Sequence, residues 1–84
     1  NLVKVTMRPL ASGESIAIEE KRDNASSWTA LGTVSYSADG AVTEKRFPVD
    51  WRAKEFQLAM AISGTATMPS VTSLEMLFSE ENFI

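Results

Sequence analysis

Apolar and polar residues alternate at the start of the chain. Val3, Val5 and Met7 fall on one parity, and Lys4, Thr6 and Arg8 on the other. A repeat of two gives a strand with one buried and one wetted face. Pro9 either ends that strand or places it at a sheet edge, and Ala11-Ser12-Gly13 reads as a turn. Ile16 and Ile18 then alternate with Ser15, Ala17 and Glu19, which predicts a second strand running towards Lys21. The polar stretch from Lys21 to Ser27 predicts a loop, because little in it can be buried cheaply.

Trp28 opens a third segment that runs to Tyr36, with Thr33, Val34 and Tyr36 favouring a strand. Gly32 inside it points to a bulge or to close backbone packing. Asp39-Gly40 is a turn signal. Residues 42–49 form a fourth segment, polar until Phe47, and Pro48 argues against a central strand there.

Residues 53–62 support two readings. Phe56, Leu58, Met60 and Ile62 share one parity, which predicts a strand. The same stretch is rich in good helix formers, and Gly64 would suit the residue after a helix. The parity of four large apolar side chains favours the strand. Residues 64–69 read as a loop. Residues 71–78 read as a last strand with Thr72, Leu74, Met76 and Phe78 on one face. About six to eight short strands separated by turn signals predict an all-β fold, an antiparallel β-sandwich. No repeat or linker divides residues 1–84, so one domain is expected. Asn1-Leu2 leads directly into the first alternation, and the expectation is a piece of a longer chain, with processing as the other reading.

Composition narrows the chemistry. The 84 residues contain no cysteine and no histidine. That removes disulfides, thiolate nucleophiles, cysteine metal clusters and the usual general base. The net charge of −3 gives no basic field for a phosphate backbone, so no nucleic-acid partner is expected. No apolar run reaches the ~18 residues of a membrane span, and nothing reads as a signal peptide.

The run Glu14–Asp23 followed by Trp28-Thr29-Ala30-Leu31-Gly32-Thr33 resembles galactose-binding-like (discoidin-type) jelly-roll domains. In those a strand ends in a "Y-S-x-D" step and "W-x-x-L-G" starts the next. Glu20 stands where an aromatic is common, a departure from that pattern. Lys54–Leu58 and the proline-led stretch Met68–Met76 are similar to the last two strands of the same class. Over residues 3 to 78, and most of all at Ala53–Leu58 with Ser63-Gly64-Thr65, the chain resembles small β-sandwich domains of bacteriophage virion and tail-associated proteins. The resemblance implies jelly-roll character, a structural or attachment role and a place in the virion.

Candidate chemistry is sparse. Glu19 and Glu20 are neighbours on a strand, so they point to opposite faces and cannot pair as acid and base. Those two, with Glu44, Asp50 and Glu55, read as solvated surface carboxylates. No serine has a histidine to activate it, and no G-x-S-x-G elbow occurs. Calcium requires about six to eight oxygen ligands, and Asp23, Asn24, Asp39, Glu80, Glu81 and Asn82 match no known ligand spacing. No metal and no cofactor is expected.

Trp28 reads as a core residue, Tyr36 as a core-edge tyrosine, and Met60 and Met68 as core filling. Trp51 lies in a connection, where it can lid the fold, meet a neighbouring subunit or stack on a sugar. Arg52 beside it can stack or bind a carboxylate. Phe83 and Ile84 are apolar at a terminus, as is Leu2, which suggests contact with other protein. The candidate partner or glycan contacts are therefore Trp51, Arg52, Phe83 and Ile84. The expected function is a non-enzymatic structural or interaction domain in a larger assembly, a phage tail or virion, with partners among subunits of that assembly as a homo-oligomer or larger complex. The alternative is a carbohydrate-binding module for host attachment.

Overall fold

The computed structural model describes residues 2–49 and 55–77. Six strands and one helical turn follow in order: β1 (Leu2–Met7), β2 (Ser15–Arg22), β3 (Thr29–Ser35), α1 (Tyr36–Asp39), β4 (Glu44–Pro48), β5 (Phe56–Ser63) and β6 (Val71–Leu77). They make two three-stranded antiparallel sheets, ordered β4-β1-β6 and β3-β2-β5. The described residues are all-β apart from α1.

The two most regular alternations became the two central strands. Val3, Val5 and Met7 of β1 are buried, as are Ile16 and Ile18 of β2, while the intervening residues are half-buried. Val34 of β3 and Phe47 of β4 join them, with Leu10 and Val49 from connections, in one cluster shared by both sheets. Burying a large aliphatic side chain contributes about 1.5–3 kcal/mol, so this cluster is the main source of stability. The polar-looking fourth segment is an edge strand, which is where Pro48 costs no ladder bond.

The sheets meet most closely on one side. Cα atoms of β3 and β4 approach within 8 Å, and no comparable approach joins β5 to β6. Gly32 explains the close side. A Cβ there would lie 2.5 Å from Cδ1 and 2.6 Å from Cε1 of Phe47, so only glycine lets the Phe47 ring seat against β3. The other glycine with a fixed task is Gly13, at φ 87° in the turn whose Glu14 N–H donates to the Ala11 carbonyl at 3.0 Å. A side chain there would be strained and would also overlap Thr65.

Two bulges re-aim side chains. Ile18 pairs with Gly32, but Glu19 pairs with Ala30, leaving Leu31 as the extra residue. Thr6 pairs with Ser73 and Met7 with Val71, leaving Thr72 extra. The second bulge takes Thr72 off the face of Leu74 and Met76 and sets Val71 opposite Met7. The Thr72 hydroxyl instead donates to the Thr6 carbonyl at 3.1 Å. Phe78 lies outside the described residues.

Candidate interaction surface

β5 settles the ambiguity at 53–62 for the described residues: Phe56–Ser63 is a strand. Each of its eight residues pairs in unbroken register with β2. Leu58 lies opposite Glu20, Met60 opposite Ile18, and Ile62 opposite Ile16. Directly opposed residues share a sheet face, so these three point to the side that carries the core.

That side is only partly covered. Phe56 and Leu58 are half-buried, Met60 is 41% exposed and Ile62 44% exposed. The expectation that Met60 fills the core is therefore corrected. The parity is right, but among the described residues no strand of the other sheet approaches β5 as closely as β4 approaches β3. Met68, at 54% exposed in the following loop, is likewise not core filling.

Trp28 is also a correction. It is 40% exposed rather than buried. The Leu31 bulge shifts the parity of everything before it by one, and so turns Trp28 to the outer face. Lys21, the next β2 residue beyond the Glu20–Thr29 pair, sets its ammonium 4.8 Å from the Trp28 ring centroid. Tyr36, 40% exposed, begins α1 rather than continuing β3, which ends at Ser35.

Two carboxylates expected in solvent, or passed over, turn out to be enclosed. Glu20 is 2% exposed on the core-facing side of β2, and Arg22, two residues along the same face, donates to it from Nε at 3.2 Å. Its position alternates with Ile16 and Ile18, a parity clue that its charge obscured. Glu14 is 6% exposed. Its Oε1 accepts from the Ala11 N–H at 2.9 Å and its Oε2 from the Thr67 hydroxyl at 2.6 Å. Its carbonyl accepts from the Tyr36 N–H at 3.1 Å. One residue thus joins the 11–14 turn, the β5–β6 connection and the end of β3. Those two side-chain bonds, the Thr67 one first, hold the Glu14 carboxyl below the ordinary glutamate value of 4.5.

Asp39 plays a similar part beside α1. It accepts from Lys45 Nζ at 2.8 Å and from the Ser35 N–H at 3.1 Å, which hold its carboxyl below 3.8. Lys45 pairs with Val5 and so emerges on the core-facing side of β4. Its ion pair with Asp39 neutralises the ammonium at that margin.

The candidate contacts Trp51, Arg52, Phe83 and Ile84 all lie outside the described residues. Among the described residues, no helix is long and apolar enough to cross a membrane. No protein-family model, no curated protein and no solved structure matches this chain.

Proposed function

We propose that this chain is a non-enzymatic interaction domain of a larger assembly, and that its two sheets form a β-sandwich with jelly-roll character. The observation that carries the function is the uncovered core-facing side of β5, where Met60 and Ile62 stand 41% and 44% exposed. Contiguous apolar surface of this kind is what protein partners cover. The enclosed carboxylates support the same reading. Glu14 and Asp39 are engaged in hydrogen bonds that hold turns and strand ends together, and the chain has neither histidine nor cysteine to work beside them. The jelly-roll reading draws on nested pairing: the first strand with the last, and the second with the fifth. The setting in a phage tail or virion rests on the sequence resemblance alone.

Methionine oxidation tests the interaction role. In native material Met60 should react several-fold more slowly than in the dilute isolated chain. Equal reactivity in the two samples rejects the reading.

Carbohydrate binding has one observation in its favour, the exposed Trp28 in a polar connection. Aromatic faces stack on sugars, but here the Lys21 ammonium already lies against the ring. Glycan-array binding lost on Trp28→Ala would favour this second reading. No binding to any glycan would dismiss it.

A further inference from the structure

We propose that two copies of this chain join edge to edge through β5, antiparallel, about a two-fold axis at Met60. The proposal rests on the interaction reading above and names the partner.

Among the described residues four strands are sheet edges, and three of them carry features that discourage pairing. β3 is bulged at Leu31, β4 holds Glu44, Lys45, Arg46 and Pro48, and β6 is bulged at Thr72 and carries Glu75. Bulges, charges and proline are the usual means by which an edge is kept from adding another strand. β5 has none of them. Its eight residues, Phe-Gln-Leu-Ala-Met-Ala-Ile-Ser, include no charge and no proline, and its ladder to β2 is regular throughout. Over residues 57–63 an edge this regular and neutral presents a row of backbone donors and acceptors suited to one kind of occupant, an extended strand.

The strand's own sequence says which one. Read in either direction from Met60, residues 57–63 have the same character: alanine, then a large aliphatic, then a polar residue. An antiparallel pair centred on Met60 would set Leu58 opposite Ile62, Ala59 opposite Ala61 and Gln57 opposite Ser63. Leu58 with Ile62 and Ala59 with Ala61 match in size and polarity, and Gln57 with Ser63 in polarity, so the strand is complementary to its own copy, as an isologous contact requires. Met60 would meet its own copy on the axis. The core-facing sides of the two β5 strands would then be continuous, so Met60 of each copy meets its counterpart and the exposed Ile62 of each lies against Leu58 of the other. Although each chain carries a net charge of −3, no like charges meet along this line, because Glu19 and Lys21 stand one strand back on β2.

Sedimentation equilibrium of the full chain over a range of concentrations tests this. The expected result is a reversible dimer. Met60→Lys and Met60→Glu, which place like charges on the axis, should each sediment as monomers with the circular dichroism of the parent. Mixing the two should restore association, as a heterodimer. Hydrogen exchange on the unaltered chain gives a second measure: some β5 amides should gain protection as concentration rises, while the β3 edge does not change.

A chain that stays monomeric at all concentrations overturns the proposal, as does a dimer indifferent to charge at Met60. If the isolated chain is monomeric while Met60 is shielded in native material, self-pairing fails and the interaction reading stands. If Met60 is unshielded in both, the interaction reading itself fails.

Discussion

Glu14 shows how much one carboxylate can organise. It has a charge-assisted bond from Thr67 across the fold and another from Ala11 within its own turn, each of a type stronger than a neutral bond. Its folded-state pKa is lowered, so between that value and the ordinary 4.5 the unfolded chain binds more protons than the folded one. The stabilisation is therefore complete above pH 4.5 and is lost as pH falls through the folded-state value. Glu14→Gln should flatten the fall in urea-unfolding free energy below pH 4.5, and an unchanged slope would show that the carboxylate is not the titrating group. Gly32 is the other residue on which the architecture turns. Gly32→Ala drives a methyl into the Phe47 ring, and overpacking of this kind typically costs about 1–3 kcal/mol. The urea midpoint should drop accordingly, and a change within error would mean that the ring has room to move.

At the scale of elements, the bulges decided what could be read from sequence. Strict alternation marked β1 and β2 because both are central and their cores are covered. The parity of Leu58, Met60 and Ile62 identified β5 correctly against its helix-forming composition, since opposed residues on β2 require it. Gly32 points to a bulge or to close packing, and the sequence does not say which; the bulge at Leu31 flips the parity of every residue before it and so turns Trp28 outward. The exposure of Met60 has a different reason: alternation tells which face a residue takes, and only the second sheet's position tells whether that face is covered. The charge of Glu20 makes it read as solvated, although its parity with Ile16 and Ile18 is that of the core. None of the four proposed contacts, Trp51, Arg52, Phe83 and Ile84, falls within the described residues, and the surface that emerged instead is built from apolar residues that read as core. The outer placement of Trp28 has its own check. With Trp51→Phe leaving one tryptophan, iodide should quench the remaining emission readily. Emission shielded from iodide would place Trp28 in the core after all.

At the scale of the molecule, the described residues of the two sheets come closest on one side. β3 and β4 come together through a glycine and a phenylalanine, whereas β5 keeps large apolar side chains half in solvent. A small domain buries a modest share of its surface, so an open apolar side is a cost that a partner would remove. The central claim is that protein covers this side in the parent assembly. Reconstruction of that assembly at side-chain resolution tests it most directly. The account predicts Met60 and Ile62 packed against another polypeptide chain, with β5 continued by a further strand. Both side chains facing solvent, with β5 still an edge, would contradict it.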